Sequence, residues 1–242
     1  MTQAGCIVVI GGGGGVGRAL LERLGSDGRP CVVASRDGSN HSGLDVECET
    51  CDARSFDQVD ALLKNATERH GSVTGVVNLA GSIILKPAHL INETEWSETI
   101  ATNLTTAFAT IRSAGKHMRK GGSVVLVSTV AAATGLPNHE AIAAAKAGVE
   151  GLARSAAATY AARHLRCNVV APGLVDTPLA ERITKSEKTL EHSRKMHPLG
   201  RIGVPDDVAS GIEFLLSERS DWMTGQVIGI DGGLGSTRAG AV

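Results

Sequence analysis

Short, uninterrupted apolar runs alternate along the chain with longer stretches in which apolar residues recur every three or four positions. The runs are Cys6–Ile10, Cys31–Ala34, Val73–Leu79, Val124–Ser128, Arg166–Ala171 and Val227–Ile230. None alternates apolar with polar, the pattern of strands covered on both faces rather than on one. Helical periodicity falls near 16–26, 55–70, 93–119, 139–162 and 205–217. Strands separated by helices predict an α/β fold with a doubly wound parallel sheet. No compositional break, linker or internal repeat divides the 242 residues, which are read as a single domain over 1–242. The charged segment 179–196 interrupts the pattern and is expected to form a mobile substrate cover.

Composition narrows the function. Apolar residues make up 42 % and charged residues 20 %, and the formal net charge of −1 is spread without long basic or acidic blocks. Nucleic acid and membrane surfaces are therefore not expected partners. No apolar run approaches the roughly 20 residues that span a bilayer, and the N-terminus lacks a basic region followed by a long apolar core. A cytoplasmic location is expected. Of five cysteines, Cys48 and Cys51 have CxxC spacing, but no second pair completes a zinc set, so no metal is expected. The plainer reading is small buried side chains in a reducing compartment.

The first predicted strand runs into GGGGGVG at 11–17 and then into a helix. Glycine permits positive φ and lets backbone N–H groups approach a pyrophosphate, while the helix N-terminus adds partial positive charge. Gly11, Gly15, Val16 and Gly17 thus read as a dinucleotide cradle. Five consecutive glycines exceed what the turn requires. The second strand leads into Ser35, Arg36 and Asp37. Asp37 would accept ribose hydroxyls and favour NAD. Ser35 at the strand end, with the Arg36 guanidinium against a 2′-phosphate, would favour NADP. NADP is the preferred reading, with NAD possible.

Here the chain resembles the short-chain dehydrogenase/reductase family over nearly its whole length. Gly11-x-x-x-Gly15-x-Gly17 is similar to that family's cofactor loop, with Ile10 where Thr is usual. Cys51-Asp52-Ala53 resembles the segment whose Asp meets adenine, and Asn78-Leu79-Ala80-Gly81 its Asn-Asn-Ala-Gly stretch. Asn103 matches the catalytic Asn, and residues 171–178, with Pro172, Gly173, Val175 and Thr177, the stretch that receives the nicotinamide carboxamide. Residues 198–205, Thr224-Gly225-Gln226 and Asp231-Gly232-Gly233 resemble its C-terminal signature. The resemblance implies a Rossmann-type fold, a nicotinamide cofactor, a small-molecule substrate and a homo-oligomer, commonly a tetramer.

The pattern breaks at the family's Ser–Tyr–Lys group. Lys146 matches the Lys that holds the nicotinamide ribose, but Thr129 stands at the Ser position and Ile142 at the Tyr position. Hydride addition to a carbonyl leaves an alkoxide that a nearby acid must quench, and isoleucine has no proton to give. Tyr160, the chain's one tyrosine, lies 14 residues beyond Lys146, roughly 21 Å along a helix. It cannot serve. On a helix, 139, 142, 143 and 146 share a face, which makes His139 a candidate surrogate acid; its other reading is a first-turn histidine touching solvent or a partner subunit. Its spacing before Lys146 resembles that of the Tyr in the enoyl reductase branch. Three functions stay open: an NADP-dependent oxidoreductase acting on a small carbonyl, alcohol or enone through His139 or water; a non-catalytic dinucleotide-binding subunit; and a non-redox lyase.

Overall fold

The structure is a computed structural model that describes residues 5–36, 43–44 and 46–237. Strands β1 (Cys6–Ile10), β2 (Cys31–Ser35), β3 (Glu47–Thr50), β4 (Val73–Asn78), β5 (Gly122–Val127), β6 (Leu165–Pro172) and β7 (Val227–Ile230) form one sheet. All pairings are parallel, in the order β3-β2-β1-β4-β5-β6-β7. The helices are α1 (Gly15–Ser26), α2 (Phe56–His70), α3 (Glu93–Ile100), α4 (Thr106–His117), α5 (Glu140–Tyr160), α6 (Glu181–Thr184), α7 (Glu187–Met196) and α8 (Pro205–Leu216).

The absence of alternation in the strands has its cause here. Cys6, Val8 and Ile10 enter a core shared with α2, α4 and α5, whereas Ile7 and Val9 enter a second core with α1 and α8. Both faces are dry, so both sets are apolar. The strand order reverses direction between β1 and β4, where Ile10 pairs with Asn78. A crevice opens beyond the carboxyl ends of strands at such a switch point.

Four details depart from the sequence reading or add to it. β3 was not expected, because Glu-Cys-Glu-Thr carries no apolar run. It is an edge strand, largely exposed, with Arg69 and His70 of α2 paired to Glu47 and Arg69 also to Glu49. Charge on an edge strand discourages pairing with another chain. The helix expected over 93–119 is split by a π-helical stretch, Ala101–Thr105, between α3 and α4. The segment 179–196 is largely helical, in α6 and α7. Among the cysteines, Cys48 is exposed rather than buried; the other four are buried, and all five are free.

Candidate active site

Gly11 follows β1 with φ +76°, and a Cβ there would stand 2.6 Å from the Ala80 nitrogen. Gly17 packs α1 onto the loop so closely that its Cβ would meet the Gly12 carbonyl at 2.2 Å. Gly12 itself faces Val33, and a Cβ on Gly15 would touch Thr177 at 3.3 Å. Gly14 is different: a Cβ there would meet nothing within 4 Å. It is the N-cap of α1, with no side chain capping the helix. The free N–H groups of the first turn therefore border open space, as a bound pyrophosphate requires. Gly11, Gly12 and Gly17 are thus closed by packing, whereas Gly14 is open.

At the adenosine end, Ser35 closes β2 half-buried and Arg36 lies exposed beyond it. Asp37 lies outside the described residues. Asp52 is engaged by Arg54, whose backbone N–H and Nε donate to Oδ1 at 3.0 Å and whose Nη2 donates to Oδ2 at 2.8 Å. Arg54 holds the Asp52 carboxyl below its ordinary value, with a smaller contribution from Arg36. Arg36 is thus close enough for its charge to be felt at Asp52. The sequence reading missed Arg54, since nothing in Asp-Ala-Arg announces a side chain folding back over two residues.

At the other end, Asn78 is buried, and its Oδ1 accepts from Ala80 N–H at 2.9 Å, turning the chain after β4 into Ala80 and Gly81. A Cβ on Gly81 would stand 3.1 Å from Asn103 Oδ1 and 3.5 Å from Lys146 Nζ. Three segments far apart in sequence converge on that glycine. Asn103 sits in the π-helical stretch, a frequent mark of functional positions. Its Nδ2 donates to Ser82 Oγ and the Thr99 carbonyl, both at 3.0 Å, and Oδ1 accepts from Ser82 N–H. Ser82, which orients the amide, is a second residue the sequence reading missed.

Lys146 is buried on α5. Its Nζ donates to the Val127 carbonyl at 2.8 Å. Burial pushes the ammonium down to about 8. Thr129 follows β5, and its hydroxyl accepts from Ala131 N–H at 3.3 Å, capping a short 3-10 turn. Ser128 Oγ donates to Glu150 Oε1 at 2.8 Å, pinning the strand end to α5. Ile142, one turn before Lys146, is 4 % exposed.

His139 is not in the first helical turn. It is the N-cap of α5, reached through Asn138 at φ +63°, and its Nδ1 lies 2.7 Å from the Pro137 carbonyl. A carbonyl only accepts, so Nδ1 carries the hydrogen and the neutral ring has none on Nε2. Only the imidazolium could donate from that nitrogen. The helical direction is nonetheless kept, since Ala143 N–H donates to the His139 carbonyl. Glu140 Oε1 accepts from Ala88 N–H, away from Lys146. Tyr160 ends α5, with its hydroxyl against Gly115 and the Arg163 guanidinium 4.8 Å above its ring.

The loop after β6 completes the crevice. Pro172 ends the strand, Gly173 N–H donates to the Ile230 carbonyl at 3.1 Å, and Val175 bridges to Gly203. Thr177 then faces Gly15 across the glycine loop. Among the described residues no group of three or more His, Cys, Asp or Glu could hold a metal, and no helix is long and apolar enough to cross a membrane.

A sequence model of the family described as enoyl-(acyl carrier protein) reductase matches residues 14–235. The chain is 33 % identical over 240 residues to the 3-oxoacyl-(acyl-carrier-protein) reductase FabG of Thermotoga maritima, covering 94 % of this chain and 96 % of that protein. It is 35 % identical over 241 residues to the cis-4-hydroxycyclohexanecarboxylate dehydrogenase of Sinomonas cyclohexanicum, covering 93 % and 94 %. The solved ligand-free aldohexose dehydrogenase of Thermoplasma acidophilum superposes with a TM-score of 0.90 at 31 % identity, over 99 % of this chain and 97 % of that one.

Proposed function

The chain belongs to the short-chain dehydrogenase/reductase family and is an NAD(P)-dependent oxidoreductase of it; from that premise we propose that it uses NADP(H) on a small carbonyl, alcohol or enone, with a proton donor other than a phenol. The observation that carries this reading is the convergence of Lys146 Nζ and Asn103 Oδ1 on Gly81, beside an open glycine cradle. The residues present fit a dinucleotide. Gly14 and the uncapped start of α1 would take the pyrophosphate, Asp52 the adenine and Arg36 a 2′-phosphate. Asn78, Ala80 and Gly81 would line the nicotinamide side, with residues 172–177 opposite.

When bound, the nicotinamide supplies or accepts the hydride. Lys146 keeps Nζ hydrogens beyond the one given to Val127 and would hold the ribose hydroxyls with them. The Thr129 hydroxyl would orient the substrate oxygen, and Asn103 would order the relay beside Lys146. In reduction, the oxygen that gains negative charge takes its proton from the His139 imidazolium or from water. Ile142, one turn before Lys146, would offer hydrocarbon and no proton there. The relatives support the reaction class: they carry the names of reductases and dehydrogenases.

Calorimetric titration with the four oxidised and reduced pyridine nucleotides, followed by turnover on a panel of ketones, enones and alcohols, tests the reading. Tight binding of NADPH with transfer of deuterium from its nicotinamide C4 to a panel member is the expected result. Binding without any transfer would favour a non-catalytic dinucleotide-binding subunit, the reading that the hydrocarbon at Ile142 supports. Turnover unaccompanied by hydride transfer would mark a lyase. His139→Gln assigns the donor: an unchanged kcat would leave the proton to water. A homo-oligomer is proposed with it, supported by exposed Trp96, Phe108 and Trp222, and light scattering measures it.

A further inference from the structure

The cover helix α7 contains no buried residue, yet His197, which ends it, is 3 % exposed. Its ring reaches back into the site. Nδ1 lies 2.6 Å from the Ser193 carbonyl, and Nε2 accepts from Leu174 N–H at 3.2 Å. A backbone N–H can only donate, so Nε2 is the bare nitrogen and Nδ1 carries the hydrogen. Both ring nitrogens are occupied, and one tautomer fits.

The surroundings are built for this ring. A Cβ on Gly173 would stand 2.6 Å from His197 Nε2, so only glycine at 173 admits it. On the other side a Cβ on Gly232, at φ +59°, would touch the His197 Cβ at 3.5 Å, and Leu199 N–H donates to the Gly232 carbonyl. The Leu174 carbonyl is held separately, by Gly203 N–H at 2.8 Å, and Asp176 N–H returns to the Gly203 carbonyl at 2.9 Å. Neighbouring charges are engaged elsewhere. Asp231 accepts from the N–H groups of Gly233 and Gly235, Asp207 is paired with Arg201, and Arg194 with Glu187. His197 is the acceptor for Leu174 N–H among the described residues.

We propose that His197 is a positioning residue for the nicotinamide end of the site: it ties the end of α7 to the loop Gly173–Thr177 and fixes that loop's backbone where a carboxamide would be received. The proposal rests on the reading of that loop as the nicotinamide side. A partly buried donor with no acceptor is costly, so loss of the imidazole nitrogen lets the peptide before Leu174 rotate toward water. The cover and the loop therefore move as one body, and seating of the carboxamide and closure over the substrate are coupled through one side chain.

Two variants separate acceptor from volume. His197→Phe keeps the ring and removes both nitrogens; His197→Gln keeps an acceptor at the reach of Nε2. Amide hydrogen exchange of 172–177 is measured without dinucleotide, and binding is compared between NADPH and 2′,5′-ADP, which occupies only the adenosine end. In the Phe variant we expect exchange to rise and NADPH affinity to fall, each by about tenfold, with 2′,5′-ADP unchanged. Gln should restore both. Wild-type exchange and affinity in the Phe variant, or equal weakening of both ligands, would overturn the proposal. If the Phe variant does not fold, His197→Asn, which reaches Ser193 but falls short of Leu174, should show the Phe pattern, and wild-type behaviour would again refute it. Failure of wild type to bind either ligand would sink the dinucleotide reading instead, while the exchange measurement, which needs no ligand, still decides the strut.

Discussion

Lys146 Nζ donates to the Val127 carbonyl at 2.8 Å, and among the described residues no carboxylate shares the ammonium. A buried cation with one neutral partner is held at a cost to the fold. Burial takes it from its ordinary 10.5 down to about 8, whereas in the unfolded chain it titrates at the ordinary value. Below the folded value both states are protonated and the penalty, roughly 3 kcal/mol, is fully present. Between about 8 and 10.5 the unfolded state binds more protons, so stability rises with pH across that window. Lys146→Met should therefore be more stable than wild type near neutrality, by about 1–3 kcal/mol once the lost bond to Val127 is counted. Urea unfolding through the window should show that advantage shrinking as pH rises; a constant difference would contradict the burial account.

Ile142 stands one turn from that lysine with almost no exposure. Ile142→Tyr places a phenol one turn before Lys146, and ketone reduction should appear or rise on the order of 100-fold, the usual reach of a placed general acid. The larger ring enters a closed site, so thermal unfolding should show a loss of about 1–3 kcal/mol. Steady-state kinetics on the same carbonyl panel decides it, and no gain in kcat would mean that the proton step is already served.

Two glycines of one loop should fail differently. Gly17→Ala drives a methyl into the Gly12 carbonyl and should destabilise the fold by a few kcal/mol. Gly14→Ala meets nothing in the protein, so its melting temperature should stay near that of wild type. Its dinucleotide affinity should fall by about tenfold, because the methyl occupies the approach to the first-turn N–H groups. Calorimetry and thermal denaturation on the pair separate packing from binding.

Arg36 is expected to read the 2′-phosphate. Arg36→Asp should lower NADPH affinity by at least about tenfold and leave NADH binding equal or improved. Equal losses for both nucleotides would assign Arg36 to general electrostatics around Asp52 instead.

Much of the site was legible because it is local. The glycine turn at 11–17, the Asn78–Gly81 turn and the Lys146 helix are short-range patterns whose backbone demands show in residue type. His139 falls at the helix boundary rather than inside it, because Asn138 in the left-handed region turns the chain just before it and no spacing along the sequence announces that turn. β3 was missed because an edge strand needs no apolar run. Arg54 and Ser82 were missed because hydrogen bonding to a neighbour's side chain leaves no periodic trace.

Sequence alone determined the doubly wound architecture, the glycine turn at 11–17 and the apolar residue, Ile142, one turn before Lys146, since each depends on hydrophobic periodicity, on glycine or on a count along one helix. Only the tertiary structure decided that Asn103 and Lys146 meet at Gly81, that His139 turns its Nδ1 onto Pro137, and that His197 at the end of α7 reaches Leu174. Those contacts join segments through packed backbones, or through one turn's dihedral angles. Distance in space follows there from how the helices settle on the sheet, which no spacing along the chain encodes.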